Sequence, residues 1–418
     1  MFIEKFPRQD HTDSPLAQAI NLFCFPDGIV LSREPQTQQV FTVVLTPNEA
    51  DSNELLRIYI TCLLFYEPVS QGIASLLNIR LNDVSKIYMP KAICLVSHWP
   101  FIDRYKQILK QIYRIQMSSN DVPIERVICN LMQEVPLPDQ GCTEIHYEIG
   151  NETIRFSRPP AKHLFFTEDL CFEMFFRCLR IDDIITLWSA TMLEKKILFI
   201  SNKKALLTHC ALALVALIFP FKWSCVLIPV LPPQFKTYIE TIFPYIIGVS
   251  PNMLTPDIEV PGDAIKIYLD EGRIVMQEVF PRLPDKPKKQ LWGRLSQCAS
   301  LYRKEDPLRE AADEAFGFFA PREDERPFDP CEVRDAFLEM QTTLIRSYQR
   351  HLILPGEAGQ RFRDSRDCFN TVGFLTYHKA NKPDQFLYKL TETQHFVHFI
   401  ESRCFHSDIN LEYAYFDE

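Results

Sequence analysis

The sequence predicts an α/β protein built as two lobes with a helical downstream part, and three observations carry that prediction. Strand-length and helix-length apolar runs alternate in the first 115 residues and again between residues 193 and 277. A Pro-punctuated, more polar stretch at 120–160 separates the two sets, and beyond residue 290 the apolar positions recur mostly at helical spacing. The 418 residues exceed what one ordinary core holds, so two or three packed units are expected, each burying enough apolar surface to fold unaided.

In the first lobe, Val40–Leu45 (VFTVVL) is short and β-branched and predicts a strand, and the polar run Thr46–Asn53 supplies the turn of a hairpin. In Glu54–Tyr66, Leu56, Ile58, Ile60, Cys62 and Leu64 alternate with Leu55, Arg57, Tyr59, Thr61 and Leu63. As a strand this segment would bury the more apolar set, although periodicity alone leaves a helix open. Ala92–Ser97 is a third strand candidate, and Pro100 suits the first turn of the helix that follows. There Phe101, Tyr105, Ile108, Leu109, Ile112 and Tyr113 share one face, and Asp103, Arg104, Lys106, Lys110 and Arg114 fall away from it.

Pro123, Pro136, Pro138, Pro159 and Pro160 punctuate the next stretch around a short apolar helix near Ile124–Met132, which reads as a partly structured linker. Two helices, Leu170–Leu179 and Asp183–Leu193, then lead into a dense core. Strands are expected within Leu193–Ser201, Ser224–Pro229 and Pro244–Pro251, with a buried helix over Cys210–Phe221. That helix is about 12 residues long, against the roughly 20 of a membrane span. Ala264–Leu269 and Arg273–Gln277 flank Asp270-Glu271-Gly272 and predict a hairpin.

The segment Phe280–Lys289, with Lys286, Lys288 and Lys289, reads as a solvated linker. Val333, Phe337, Met340, Leu344 and Tyr348 make one helix face. Thr391 with Gln394 has the form of a capping box opening a last helix through Phe396, Phe399, Ile400 and Arg403, and Arg303–Arg326 reads as an exposed or mobile insert.

The chemistry is sparser. The 13 cysteines include no C-x-x-C pair and lie mostly in apolar runs, which points to a reduced, cytosolic protein; the N-terminus lacks the apolar region of a signal peptide. A net charge of −9 spread along the chain argues against nucleic-acid binding. The 12 glycines form neither phosphate-loop pattern, and the G-x-S-x-G, H-E-x-x-H and kinase signatures are missing. His395 and His398 could share a metal with Glu392 and Glu401, but each step of three drifts about 60° around a helix, so the row cannot converge on one ion. Asp182 and Asp183 fit a helix start. Arg33 and Arg158, at loop positions, could act as fingers that stabilise phosphoryl transfer on a partner nucleotide, a role few exposed arginines have.

Taken in order, several runs resemble the DENN module of Rab guanine-nucleotide exchange factors: Phe23–Gly28 (FCFPDG), Phe65–Pro68 (FYEP), Ala92–Leu109 (AICLVSHWPFIDRYKQIL), Val122–Arg126 (VPIER), Glu194–Ser201 (EKKILFIS), Ile218–Trp223 (IFPFKW), Pro244–Ser250 (PYIIGVS) and Phe386–Arg403 (FLYKLTETQHFVHFIESR). The resemblance implies a bilobed fold: an upstream, longin-like lobe at 1–118, a linker at 119–160, a central α/β lobe at 161–290 and a mainly helical downstream part at 291–418. It also settles Glu54–Tyr66 as a strand.

The resemblance further implies exchange activity without a catalytic side chain, metal or cofactor. A Rab-family GTPase would be bound between the lobes, its switch regions displaced and GDP released, in membrane traffic. The contacts expected are Tyr66, Glu67 and Pro68 at a strand end, and Tyr245, Ser250, Pro251 and Asn252 around a turn at Gly248. The protein would be cytoplasmic, reaching vesicle or endosomal membranes through its partner. Two other roles fit the same resemblance: a scaffold that holds a GTPase without exchange, and a GTPase-activating protein.

Overall fold

The computed structural model describes residues 20, 22–46, 57–76, 87–118, 123–139, 141, 143–158, 169–299, 328–353, 368–405 and 416–417. The turn expected at 47–53, residues 54–56 and the insert at 303–326 lie outside them. The chain divides into two compact units, residues 1–160 with 230–236, and residues 161–229 with 237–418.

In the first unit β1 (Gln39–Leu45), β2 (Ile58–Pro68) and β3 (Tyr88–Ser97) form an antiparallel sheet in that order, with α1 (Gln71–Leu76) between β2 and β3. β2 is the central strand and is buried on both faces from Ile58 to Phe65. The expected division into a buried and a less apolar face therefore does not hold. Thr61 is accommodated inside because its hydroxyl meets that of Thr42, its partner on β1, at 3.0 Å, so the buried hydroxyl keeps a hydrogen bond.

α2 (Ile102–Met117) packs its predicted face inward, with Phe101 at its N-cap, so Pro100 precedes the cap rather than entering the first turn. Tyr113 is half-buried, its ring 4.8 Å from that of Phe65. The opposite face is less exposed than expected: Asp103 and Lys106 are buried. Lys110 is half-covered, and burial together with the charges of Lys106 and Arg114 pushes its ammonium pKa down to about 8.

The stretch read as a linker is structured and packs on the same helix. It contains α3 (Ile124–Cys129), a π-helical turn (Asn130–Glu134) and a hairpin of β4 (Glu144–Ile149) and β5 (Glu152–Ser157). Gly150 takes φ of 60° at the hairpin turn, a conformation that suits glycine. Phe156 of β5 lies edge-on to Phe101 at 5.4 Å and tilted against Tyr105 at 6.4 Å, so α2 is held between two layers.

In the second unit α4 (Asp169–Cys178) and α5 (Ile181–Met192) precede β6 (Ile197–Ile200), α6 (Lys204–Ala216), β7 (Val226–Ile228), β8 (Tyr245–Val249), β9 (Ile265–Tyr268) and β10 (Arg273–Val275). The five strands form one sheet ordered β10-β9-β6-β8-β7, parallel except for the β9–β10 hairpin. β6 and β8 are buried at every position, as parallel strands covered by helices require.

The downstream helices are α7 (Asp285–Cys298), α8 (Pro330–Ile345), α9 (Thr371–Tyr377), α10 (Phe386–Thr391) and α11 (Gln394–Phe405). α8 opens with Asp329, whose carboxylate accepts the N–H groups of Cys331 and Glu332, followed by Pro330. It docks on the core through Phe337, 5.5 Å from Trp188. Gln341 reinforces the contact by donating to the Ile218 carbonyl at 3.2 Å.

Two sequence expectations change here. Lys286, Lys288 and Lys289 are not in a linker but in the first turns of α7, where Pro287 lacks only an N–H that the first turn leaves unpaired anyway. Thr391 does not cap the last helix; it ends α10, donating to the Tyr388 carbonyl at 2.7 Å. The positive end of α11 is met instead by a residue two hundred positions earlier. Glu194 Oε1 accepts the His395 N–H at 2.9 Å and lies 3.1 Å from His395 Nδ1.

Candidate functional site

The first candidate surface grows from the end of β2. Pro68 pairs with Tyr88 across the β2–β3 ladder, and Tyr88 exchanges two backbone hydrogen bonds with Ser32, of 3.0 and 2.7 Å. The segment before Ser32 is thereby fixed beside the same sheet end. It is set up by the turn Phe25-Pro26-Asp27-Gly28, closed by the Gly28 N–H to the Phe25 carbonyl at 2.8 Å, with Gly28 at φ 80°.

From this turn the chain runs through three consecutive exposed apolar residues, Ile29 at 57%, Val30 at 60% and Leu31 at 42%. Tyr66 and Glu67 are half-buried and Pro68 is exposed, with Glu67 paired to Lys91 of β3. Burial, and then the charge of Asp27, raises the Tyr66 hydroxyl above its ordinary pKa. That coupling places the Pro-Asp-Gly turn and the strand end in one neighbourhood. The structure thus brings Tyr66, Glu67 and Pro68 together with Ile29–Leu31, whose signal in the sequence is three apolar residues directly after Pro-Asp-Gly.

The second surface lies at the carboxyl ends of the parallel strands, where open α/β sheets usually present their binding groups. After β8, Ser250 leads into a 3₁₀ turn, Pro251–Met253, with Ser250 and Pro251 half-buried and Asn252 exposed. Beside it, Asp270 after β9 closes the loop after β6: one carboxylate oxygen accepts from Ser201 Oγ at 2.6 Å, the other from the Asn202 N–H at 2.8 Å and its side-chain amide at 3.2 Å. Ser201 in turn donates its N–H to the Val249 carbonyl at 3.2 Å. The loop ends of β6, β8 and β9 are therefore locked together.

Tyr245 does not belong to this surface. It is the first residue of β8, at the opposite strand end, fully buried, with its hydroxyl donated to the Ile239 carbonyl at 3.1 Å. Burial holds that hydroxyl far above its ordinary pKa. Nor is Gly248 a turn. It sits inside β8 beside Phe199 of β6, and a Cβ there would lie 1.9 Å from the Pro229 carbonyl oxygen and 3.0 Å from Leu207 Cβ. Glycine is required by close approach of backbone, not by a bend.

The remaining candidates resolve into structural roles. His395 is buried against Glu194 and Phe221, whereas His398 is exposed beside Glu401, so the two imidazoles do not converge. Asp182 and Asp183 occupy the first turn of α5, with Asp183 paired to Arg180 at 2.8 Å. Arg158 lies 4.1 Å above the Trp99 ring, and Arg33 is exposed. No helix among the described residues is long and apolar enough to cross a membrane.

A three-stranded antiparallel sheet backed by one long helix, followed by a mainly parallel five-stranded sheet wrapped by helices, defines a bilobed α/β module. Comparison with known families agrees with this class. The DENN (AEX-3) domain model matches residues 88–272 and the uDENN domain model matches residues 1–65. The chain belongs to the DENN domain family. The first match ends at Phe65, inside β2, and the second begins at Tyr88, the first residue of β3; the two strands are joined by a ten-residue ladder, so the matched regions share one sheet.

Among curated proteins the chain is similar to the DENN domain and WD repeat-containing protein SCD1 of Arabidopsis thaliana, at 29% identity over 260 residues, or 62% of this chain. The matched stretch spans 21% of that relative's length.

Proposed function

We propose that this chain is a guanine-nucleotide exchange factor for a Rab-family small GTPase in membrane traffic. The observation that supports this reading most is the pair of DENN-family matches at 1–65 and 88–272. The contacts are assigned to Ile29, Val30, Leu31, Tyr66, Glu67 and Pro68 on the first unit, and to Ser250, Pro251 and Asn252 on the second. Exposed aliphatic side chains beside a half-buried tyrosine supply the apolar anchor that a transient protein contact needs.

Exchange requires differential binding. Accelerating GDP release by about 10⁴ means holding the opened GTPase about 5.5 kcal/mol better than the closed one, within reach of a standard interface of roughly 1,600 Å². The protein then meets vesicle or endosomal membranes through its GTPase.

The test is release of a fluorescent GDP analogue from a panel of Rab proteins. Accelerated release from at least one is expected. Faster phosphate production without faster release would make the chain an activating protein, and tight binding with neither would make it a scaffold; both sink the proposal. The triple variant Ile29→Ser, Val30→Ser, Leu31→Ser is expected to slow the stimulated release at least tenfold at unchanged unfolding midpoint. Unchanged release would remove the strip from the contact surface.

A further inference from the structure

Three cysteines far apart in sequence meet inside the first unit. Cys62 of β2 and Cys94 of β3 face each other across the antiparallel ladder. Cys24, just before the Pro-Asp-Gly turn, reaches over both. The three sulfurs are 3.1 Å (Cys24–Cys94), 3.5 Å (Cys62–Cys94) and 3.6 Å (Cys24–Cys62) apart. Cys62 is fully buried, Cys24 is 4% exposed and Cys94 is half-buried. They are the group of His, Cys, Asp or Glu residues, among those described, whose donor atoms come within 4.8 Å of one another.

The near-equilateral arrangement is the informative part. Sulfurs bound to one ion at about 2.3 Å stand about 3.8 Å apart at tetrahedral corners and about 4.0 Å apart in a trigonal plane. To reach the tetrahedral separation the two pairs that include Cys62 open by about 0.2–0.3 Å and the Cys24–Cys94 pair by about 0.7 Å, with all three thiols kept in the site. A disulfide, at about 2.05 Å, would draw one pair together by about 1 Å and leave the third sulfur unexplained. Three soft donors with no fourth among the described residues, and with one ligand partly open to solvent, suit a thiophilic d¹⁰ ion whose last position is taken by water.

We infer that Cys24, Cys62 and Cys94 form a three-thiolate site for a single thiophilic ion of the Zn²⁺ class. Each thiol gives up its proton to solvent as its sulfur–metal bond forms, so binding releases protons and no oxidant or reductant enters. The site ties the turn at 25–28 to the β2–β3 ladder and thereby fixes the base of the Ile29–Leu31 strip. It stands independently of the exchange reading.

The full chain, reduced and chelator-treated, is titrated with Cd²⁺, followed by thiolate-to-metal charge-transfer absorbance, and with Zn²⁺ in competition with a chromophoric chelator. One equivalent of each is expected, with proton release and a raised thermal midpoint. Cys24→Ser and Cys94→Ser are each expected to weaken binding at least tenfold, and Cys331→Ser, at an exposed position, to leave it unchanged. Cys62→Ser probes the sheet interior and is read only where its unfolding transition matches the parent. Substoichiometric binding overturns the inference. So does full binding that survives Cys24→Ser and Cys94→Ser, or thiol counting that finds two of the three sulfurs joined in the purified protein.

Discussion

Gly248→Ala is expected to destabilise the second unit by about 3 kcal/mol, at or above the upper end of ordinary overpacking costs. The added methyl group would meet the Pro229 carbonyl oxygen at 1.9 Å, and backbone cannot turn aside as a side chain can. Pro229 directly follows β7, which is paired to β8, and Leu207 of α6 presses on the same position with its Cβ at 3.0 Å. Relief would require β7 to leave β8 or α6 to lift from the sheet. Gly72→Ala provides the control, since nothing lies within 4 Å of a Cβ there and alanine favours a helix. Denaturant unfolding followed by tryptophan fluorescence measures both. A Gly248→Ala midpoint equal to the parent would show that the approach of Pro229 is not rigid.

Gly248 also shows where sequence reading stops. Its neighbours Tyr245, Ile246, Ile247 and Val249 announce a buried strand, and that much is legible from the apolar run. Whether a glycine inside the run marks a bend or a close approach depends on Pro229, nineteen positions earlier, which periodicity does not see. Tyr245 reads as a surface residue for the same reason: its position beside Pro244 suggests a loop, and only the Ile239 carbonyl that accepts its hydroxyl makes burial tolerable.

The elements with a strong local period were the readable ones. β1, β3, α2, α8 and the β9–β10 hairpin lie where their patterns put them, whereas β2 is a strand that the family resemblance, and not its own period, selects. The β4–β5 hairpin was lost although Ile145, Tyr147 and Ile149 alternate with polar residues and a Gly-Asn pair separates them from Ile154 and Phe156. Pro136, Pro138, Pro159 and Pro160 on either side give the stretch the composition of a linker and mask that short alternation. The hairpin in turn meets a part of α2 that reads as solvent-facing, where Arg114 pairs with Glu152 at 2.9 Å. Of the candidate contacts, Tyr66–Pro68 could be placed because they end a strong strand. Ile29–Leu31 carry a composition signal, three apolar residues directly after Pro-Asp-Gly, but no period, so their place beside β3 follows only from the pairing of Ser32 with Tyr88.

Glu194 is expected to be the other position where one substitution has a large effect. It ends α5 in a Schellman arrangement: the Lys195 N–H reaches the Ala190 carbonyl and the Glu194 N–H the Thr191 carbonyl, both at 3.0 Å. Glu194 itself takes φ of 50°, a left-handed conformation that costs a non-glycine residue about 1 kcal/mol. Glycine is the usual occupant, so the side chain must return more than it costs. It does so at the N-terminus of α11. Burial alone would raise its carboxyl pKa, but His395 and the backbone N–H groups of Gln394 and His395 outweigh burial and hold it below the ordinary glutamate value. A carboxylate there meets the positive helix end and the imidazole together.

Glu194→Ala keeps the backbone strain and strands His395, which is 1% exposed, so a loss of about 3 kcal/mol is expected. Glu194→Gly removes the same contact but relieves the strain, and is expected to lose about 1 kcal/mol less than Glu194→Ala. The discriminating result is that Glu194→Gly stays below the parent, because a side chain serving only as local turn material would make the glycine variant more stable than the parent. The acid dependence follows from the sign of the shift. A carboxyl whose folded pKa is depressed contributes fully above its unfolded value, about 4.3, and loses that contribution as pH falls through the lower folded value. The stability gap between the parent and Glu194→Gln should accordingly hold from neutral pH down to about 5 and narrow below about 4. A gap that stays constant to the lowest pH at which the protein folds would show that Glu194 acts through packing and not through its charge.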